Sequence, residues 1–281
     1  NVMNETTLVL ISYKSENKIY DFIKKAPKDI EIIIIENSNN KEFKKNIENN
    51  HKNITIFIKD NEGVSSSLNF AVKYIKTKYF LQISPDINFN FDDLKLFLDL
   101  ANNLHDKFAA IGPRFEGVKE KSHKQISEGL RYGRTNSIHG SCMFINKKNF
   151  IDIGGFDENF FLYFEETEFC FRAKKKGYLS YQINKSKVST DGRSVEFENV
   201  KEENKINNLL TWHFIWSKFY FSKKKYGKFF SIIIFLPLLT RIIYRIVLCK
   251  LRGNQNIHEK YKFRLDGLIK SIIGKSSNLR P

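Results

Sequence analysis

Short apolar segments alternate with helical patterns through the first half of the chain, and this alternation limits the possible folds more than any other feature. Runs that fit buried strands lie at residues 6–12, 31–36, 54–58 and 79–83. Stretches that fit helices separate them, at residues 17–25, 41–50 and 61–76. Strands that are joined by helices in this way form right-handed crossovers and a mostly parallel sheet. The sequence therefore predicts an α/β domain with helices flanking the sheet.

The run Tyr79–Ile83 is followed by Ser84 and Pro85, and then by a single acid, Asp86. Proline ends the strand because it has no N–H for a sheet ladder. Asp86 is thus expected just past the carboxyl end of a central strand, where open α/β sheets bind their ligands. A carboxylate there suits a divalent ion on a phosphate, although an acid that caps a turn or the next helix has the same pattern.

Polar residues also follow the first two predicted strands, Ser12 and Tyr13 after the first and Glu36 and Asn37 after the second. In a parallel sheet these strand ends converge with Asp86 on one crevice. The carboxylate of Glu36 can accept hydrogen bonds from a base or a ribose. These residues therefore form a candidate nucleotide site.

Asn61 and Gly63 precede the N-terminus of a predicted helix, whose free N–H groups suit a phosphate. The Gly-x-Gly-x-x-Gly pattern of dinucleotide-binding proteins and the Gly-Lys-Ser/Thr pattern of the P-loop are both absent from the sequence. Their absence argues against those two classes of nucleotide-binding protein.

Three acids, Glu165, Glu166 and Glu168, lie among aromatic residues. Glu165 and Glu168 share one helix face, whereas Glu166 points elsewhere. Burial among phenylalanines is expected to raise the pKa of a carboxylate and make it a better general base. An acidic first helical turn explains the same pattern, and for Glu168 we adopt that interpretation, with Arg172 as its ion-pair partner at i+4.

The rest of the predicted domain continues to about residue 200. Further strands are predicted at residues 109–112, 141–145 and 178–183, and helices at residues 91–104 and 164–176. Gly177 follows the second of these helices, as a glycine C-cap does. Residues 115–137 are polar and weakly patterned, which predicts a loop near the site.

Several motifs, taken in their order, carry a resemblance to a known family. They are Leu8–Tyr13, Ile33–Ser38, Asp60–Asn69, Ser84–Asp86, and a block from Gly154 to Tyr178 that includes Phe156–Phe161, Arg172 and Gly177. Through them the stretch from Thr6 to Ser194 resembles the family 2 glycosyltransferases, which have the Rossmann-like GT-A fold, and it is close to their rhamnosyltransferase-like branch.

The resemblance implies a role for each group of residues. Tyr13 and Glu36 would contact the nucleotide base, and Asp86 would hold Mg²⁺ or Mn²⁺ on the diphosphate of a UDP- or dTDP-sugar. Glu166 takes the place of the family's catalytic base, with Glu165 as the alternative. The other residues implied in donor binding are Ser12, Asn37, Asn61, Gly63 and Asn69.

The sequence departs from the family's pattern in two respects. Glu36 and Glu166 stand where the family usually has aspartate, so each carboxylate reaches further by one methylene. Residues 187–194 lack the histidine that the family often carries after the last strand. We therefore expect either that a second metal ligand is missing or that the metal is held more weakly.

The net charge of +16 is concentrated in one part of the chain. Residues 205–281 carry 16 Lys and Arg against Glu259 and Asp266, a net charge of +14, which leaves +2 for residues 1–204. The lysines Lys223–Lys225 and Lys228 precede an apolar run at residues 229–239. That run is about half of the roughly 20 residues that span a bilayer, and Pro237, Arg241 and Arg245 interrupt its continuation.

These patterns predict that residues 201–281 form a helical, basic module on an anionic membrane surface. The alternatives are a helix buried against the catalytic domain and a helix buried against a second subunit, which would be that of a homodimer. Three widely spaced cysteines and an N-terminal stretch without a signal-peptide pattern predict a cytoplasmic protein. With the basic module, the expected position is peripheral at the inner face of the plasma membrane, and the family resemblance implies a bacterial protein.

We therefore expect an inverting, metal-dependent hexosyl- or rhamnosyltransferase of surface polysaccharide synthesis. It would move a sugar from a nucleotide diphosphate to a hydroxyl of a glycan or lipid-linked acceptor. A sugar nucleotidyltransferase, which would release pyrophosphate, is one rival. A non-enzymatic protein that binds nucleic acid through the basic tail is another, but no nucleic-acid-binding motif is present, and we expect no nucleic-acid partner.

Overall fold

A computed structural model describes residues 2–117, 125–193, 195–197 and 199–281. Its strands are β1 (Thr6–Ser12), β2 (Glu31–Glu36), β3 (Ile54–Ile58), β4 (Tyr79–Ile83), β5 (Ile87–Asn88), β6 (Phe108–Phe115), β7 (Tyr132–Thr135), β8 (Cys142–Asn146) and β9 (Leu179–Thr190). Its α-helices are α1 (Glu16–Lys25), α2 (Lys41–Asn50), α3 (Val64–Val72), α4 (Leu94–Asn103), α5 (Lys147–Ile153), α6 (Glu165–Lys175), α7 (Val200–Tyr226), α8 (Lys228–Leu251) and α9 (Gln255–Ile272).

The strands form one sheet in the order β3-β2-β1-β4-β8-β6-β9-β5, and β7 pairs with β9 outside this path. Strands β3, β2, β1 and β4 are parallel to one another, as are β6 and β9. Strand β8 runs antiparallel to both of its neighbours. The predicted α/β fold, with a mostly parallel sheet flanked by helices, is confirmed.

The central strands are buried on both faces, which explains their unbroken apolar sequences. Ile32, Ile33, Ile34 and Ile35 of β2 are all buried. Side chains from β1, β4 and β8 meet those of the flanking helices in one core, which includes Leu8, Leu10, Ile34, Leu81 and Phe144. Packing of this kind sets the strand register, and the register in turn sets which residues stand at the strand ends.

Several elements differ from the sequence prediction, among them the two-residue strand β5, which was not predicted. Residues 115–137 are not wholly a loop, because they contain β7, although residues 118–124 lie outside the described part of the chain, as do Ser194 and Glu198. Helix α5 was not predicted; Asn146 caps it by accepting the N–H of Asn149 at 3.2 Å, and it ends at Gly154, where φ is +99°. The last strand, β9, reaches Thr190 rather than residue 183.

The chain divides into two compact units. The first comprises residues Asn1–Glu62, Ser66–Asp157 and Glu166–Glu196, and it holds the sheet. The second comprises Gly63–Ser65, Glu158–Glu165 and Phe197–Pro281. It therefore combines the three C-terminal helices with two short stretches from earlier in the chain.

Helix α8 corrects the prediction for the apolar run. The helix continues from Lys228 to Leu251 through Pro237, Arg241 and Arg245, so the prediction that these three residues interrupt it was wrong. Proline costs the helix one hydrogen bond, but the helix packs against α7 and α9 around a core of Ile215, Phe219, Phe235, Ile242 and Leu268. Within the described residues α8 is the one helix long and apolar enough to cross a membrane, and 17% of its apolar window is buried.

Candidate active site

Ser12 and Glu36 end the neighbouring strands β1 and β2 and are partners in the parallel register. The N–H of Asn37 donates to the carbonyl of Ser12 at 2.8 Å, which ties the two strand ends together. Tyr13 follows Ser12 and is partly exposed. The structure thus brings these four predicted site residues to the carboxyl end of the parallel strands.

The carboxylate of Glu36 is fully buried, and the loop that follows it supplies its hydrogen bonds. Oε1 accepts the N–H of Ser38 at 2.8 Å and also the hydroxyl of Ser38, and Oε2 accepts the N–H of Asn40 at 2.7 Å. Glu36 therefore orders the loop between β2 and α2. Its contact with a nucleotide base stays a prediction.

Helix α3 begins directly after the residues that were predicted to bind phosphate. Gly63 has a φ of +100°, and a Cβ at this position would lie 2.3 Å from the carbonyl oxygen of Phe161. Only glycine fits such a backbone approach. The same carbonyl accepts the N–H of Val64 at 2.9 Å. Gly63, with Asn61 two residues before it, thus lies at the N-terminus of α3.

Two asparagines predicted to bind the donor are hydrogen-bonded within the framework. Asn37 Nδ2 donates to Ser67 Oγ at 2.9 Å. Asn69 Nδ2 donates to the carbonyl of Phe156 at 2.9 Å, and Asn69 Oδ1 accepts the N–H of Phe156 at 3.0 Å. The two side chains therefore fasten α3 to the exit of β2 and to the turn after α5. Contact with a nucleotide stays a prediction for both.

Asp86 lies just after β4, where β5 pairs with the end of β9. Its side chain is 9% exposed, and Oδ2 accepts the hydroxyl of Thr190 at 2.6 Å. The carbonyl of Asp86 accepts the N–H of Asp191 at 3.0 Å, and Asp191 Oδ1 accepts Asn88 Nδ2 at 2.6 Å. The end of β9 thus fixes the carboxylate of Asp86 and brings a second acid to the same turn.

The sequence analysis missed Thr190 and Asp191 as partners of Asp86. Its last predicted strand ended at residue 183, which left both residues in a turn with no known neighbour. The one available signal was the polar stretch 187–194, which lacks the family's histidine. Asp191 supplies an acid within that stretch.

The oxygen donors around Asp86 suit a hard divalent cation. Mg²⁺ is commonly held by one or two carboxylates, and substrate phosphates and waters complete its shell. Asp86 offers one carboxylate, and the exposed Asp191, whose N–H donates to the carbonyl of Asp86, adds a second acid to the same turn. Among the described residues no group of three or more His, Cys, Asp or Glu could hold a metal. The residues present therefore fit an ion that is shared with a substrate diphosphate rather than one caged by protein alone.

The three predicted acids stand in the first turn of α6. Glu168 is fully buried and accepts Arg172 Nε with both oxygens, at 2.8 and 2.9 Å, so the predicted pair is confirmed. Glu165 is buried, whereas Glu166 is partly exposed and accepts the hydroxyl of Thr167 at 3.1 Å. Of the two candidate bases, Glu166 is thus the more accessible to an acceptor.

Arg172 also fixes the glycine turn that precedes the acids. Its Nη1 donates to the carbonyl of Ile153 at 2.8 Å, and its Nη2 donates to that of Gly155 at 2.6 Å. A guanidinium with donors in a planar fork suits this geometry. The first turn of α6 is therefore held against the end of α5.

The family model described as "Glycosyl transferase family 2" matches residues 7–164, more than half of the chain. Among curated proteins, the low-salt glycan biosynthesis hexosyltransferase Agl10 of Haloferax volcanii is 25% identical over 62% of this chain and 63% of its own length. The rhamnosyltransferase WbbL of Escherichia coli is 27% identical over 43% of this chain and 58% of its own. The chain thus spans about six tenths of the length of these relatives.

A solved structure, that of GalNAc-T7 with UDP, GalNAc and Mn²⁺, superposes with a TM-score of 0.57 at 12% identity. The superposition covers 97% of this chain and 56% of the other. At such low identity the likeness shows the fold alone.

Proposed function

The chain belongs to glycosyl transferase family 2, and we propose that it transfers a sugar from a nucleotide-diphosphate donor to an acceptor hydroxyl, with inversion at the anomeric carbon. The observation that carries the proposal is Asp86, a carboxylate fixed by Thr190 at the carboxyl end of the parallel strands. A ligand site at that edge is typical of open α/β sheets. Glu166, partly exposed in the first turn of α6, supplies the second group that the reaction needs.

Each residue has a defined task in this proposal. Asp86, with Asp191 beside it, would hold Mg²⁺ or Mn²⁺, which when bound neutralises charge on the departing diphosphate. Glu166 takes the proton of the acceptor hydroxyl. The freed oxygen attacks the anomeric carbon while the bond from that carbon to the diphosphate breaks, and the nucleoside diphosphate leaves. Glu165 is the alternative base.

The donor and acceptor are proposed from the relatives' names. A hexosyltransferase and a rhamnosyltransferase favour a UDP- or dTDP-linked hexose or rhamnose as donor, and the structure with UDP and Mn²⁺ favours a metal-assisted nucleotide site. Glycan biosynthesis in the first relative favours a glycan or a lipid-linked glycan as acceptor, as in surface polysaccharide synthesis.

A screen of nucleotide sugars tests the proposal. We expect one UDP- or dTDP-sugar to raise the melting temperature in the presence of Mn²⁺ but not of EDTA, because a ligand that binds only the folded state stabilises it. With acceptor present the product should be a nucleoside diphosphate. Release of pyrophosphate would instead identify a nucleotidyltransferase, and no response to any nucleotide sugar would contradict the proposal.

We propose further that α8 lies in the surface of an anionic membrane on the cytoplasmic side. Its outward face is apolar along the whole helix, about 36 Å for 24 residues at 1.5 Å each. Phe229 is 71% exposed at one end and Leu251 is 80% exposed at the other. Between them the same face carries Ile233, Leu236, Ile243 and Val247, all exposed.

The other face of α8 argues against a helix that crosses the bilayer. It packs on α7 and α9, and α9 carries Lys260, Lys262, Arg264, Asp266 and Lys270. Crossing would draw these charges toward the hydrocarbon, at about 2.5–3.5 kcal/mol each on insertion scales. A helix that is half embedded, with its packed face toward the protein, avoids that cost.

The charges on α8 favour lipid over a second copy of the chain as the partner. Lys228, Arg241, Arg245 and Lys250 accompany the apolar face, and α8 contains no acid. Two such helices packed face to face would bring like charges together. Anionic headgroups are complementary to the same charges.

Vesicle co-sedimentation tests this placement. Lys228→Gln with Arg241→Gln should weaken binding to anionic vesicles about 30-fold, because each juxtamembrane basic residue contributes about 1 kcal/mol. Lys52→Gln with Lys95→Gln, two exposed lysines of the first unit, is the matched control and should change nothing. Wild-type binding should weaken with salt, because exposed charges are screened. Binding to neutral vesicles that equals binding to anionic ones would contradict the proposal. So would a protein that is a dimer in solution and does not bind vesicles.

A further inference from the structure

Residues 275–280, which we call the strap, follow α9 and run back along α7. Trp216 Nε1 donates to the carbonyl of Lys275 at 3.0 Å. His213, fully buried on α7, meets the strap with both ring nitrogens, Nδ1 at 2.9 Å from Ser277 Oγ and Nε2 at 2.8 Å from the carbonyl oxygen of Leu279. The strap is therefore held by directed bonds rather than by apolar contact alone.

The protonation of His213 follows from its surroundings. Burial lowers its pKa to about 4, and the charge of Arg280 lowers it as well. The imidazole is thus neutral at pH 7. Because the carbonyl of Leu279 can only accept, Nε2 carries the hydrogen, and Nδ1 accepts the hydroxyl of Ser277. With both ring nitrogens bonded to the strap, His213 serves in packing.

The strap also contacts the aromatic ring of Phe161. The imidazole of His213 stacks on it with 4.4 Å between centroids, and the guanidinium carbon of Arg280 lies 4.3 Å from its centroid. Arg280 Nη1 also donates to the carbonyl of Ser277 at 2.6 Å, which fixes the guanidinium. A cation this close to a ring face is attracted by the ring's quadrupole.

Phe161 belongs to the loop of residues 160–164, which leads directly into Glu165 and Glu166. Tyr163 and Phe164 have φ values of +68° and +67°, in the left-handed region that is unfavourable for bulky residues. Such backbone persists only where its surroundings hold it. Two elements hold this loop. Helix α7 holds it through Ser217 Oγ, which donates to the carbonyl of Leu162 at 2.8 Å, and the strap holds it through the contact of Arg280 with Phe161.

We propose that the strap positions this loop, and that His213, Ser277 and Arg280 are positioning residues for the transfer step. The inference rests on the proposed function, because the position of the loop matters to the reaction only if Glu166 or Glu165 is the base. A strained loop that loses its outer contacts shifts the start of α6, and a shift of about 1 Å in a reacting group can cost up to 10²-fold in rate.

The test compares Arg280→Ala, Arg280→Lys and Ser277→Ala with Arg252→Ala, an exposed arginine of the same unit, as the control. We expect kcat to fall about tenfold in Arg280→Ala and to recover in Arg280→Lys, which keeps a cation over the ring. The melting temperature should barely move. Ser277→Ala removes a single hydroxyl, and it serves as the second test variant if Arg280→Ala folds poorly.

Two readouts do not depend on activity. The chain has two tryptophans, both on α7: Trp216 bonds the strap at Lys275, and Trp212 packs edge-on against His213. Their emission should therefore shift in Arg280→Ala but not in Arg252→Ala. Amide hydrogen exchange of residues 160–166 should accelerate in the same variant. Faster exchange with unchanged kcat would overturn the positioning role, as would unchanged exchange and emission. A wild-type chain that transfers no sugar would instead count against the proposed function.

Discussion

Asp86→Ala should abolish sugar transfer while leaving the fold intact. The carboxylate is held just after β4 by the hydroxyl of Thr190. In the proposed role Asp86 would be a protein ligand of the ion, and its removal would forfeit several kcal/mol of charge stabilisation, so we expect a loss of about 10³-fold or more. The measurement is the transfer rate over a Mn²⁺ titration, together with nucleotide binding and the melting temperature.

Asp99→Ala, an exposed acid on α4, serves as the control for Asp86→Ala and should transfer normally. Asp191→Asn tests the second acid. We expect it to raise the Mn²⁺ concentration needed for half-maximal rate without abolishing transfer. Full activity of the wild type in EDTA would remove the metal role of both residues.

Glu166→Gln should lower kcat by about 10²–10⁴-fold, the usual cost of losing a general base. Glutamine has nearly the same shape but cannot take a proton, so donor affinity should be retained. Single-turnover transfer rates check the expected fall in kcat, and calorimetry of donor binding checks that donor affinity is retained. Glu42→Gln, an exposed acid of α2, is the matched control.

Glu165→Gln decides between the two adjacent acids. Because Glu165 is buried, we expect this variant to lose stability more than rate. A catalytic loss in Glu165→Gln with full activity in Glu166→Gln would make Glu165 the base. Full activity in both variants would contradict a carboxylate base in this turn.

The strands that could be predicted are those whose sequences are mainly apolar. Strands β1, β2 and β4 were placed correctly because strands buried on both faces carry apolar runs, and the edge strand β3 was placed correctly although Thr55 is exposed. Strand β7 was not predicted, because none of its four residues is buried and only its pairing with β9 makes it a strand. Helix α5 is short, and it begins directly after the last residue of β8, so no loop marks its start.

The site could be predicted where a residue's own neighbours fix it. Asp86 follows a strand and a proline, and the Glu168–Arg172 pair is local to one helix. Thr190 could not be found in this way, since its contact with Asp86 bridges 104 residues. The hydrogen bonds that the carboxylate of Glu36 accepts could not be predicted either, because they depend on the conformation of the loop from Ser38 to Asn40.

Strand β9 is the last strand of the sheet to leave the ribosome, yet it pairs with β5, β6 and β7. At roughly 5–20 residues per second, the 104 residues between Asp86 and Thr190 take about 5–20 s to translate. Through that interval a nascent chain has Asp86 without its partner and β6 without its parallel neighbour. The Asp86–Thr190 pair of the proposed donor site is therefore completed late in biosynthesis, and a chain stalled before residue 190 exposes the unpaired edge of β6 to chaperones and to aggregation.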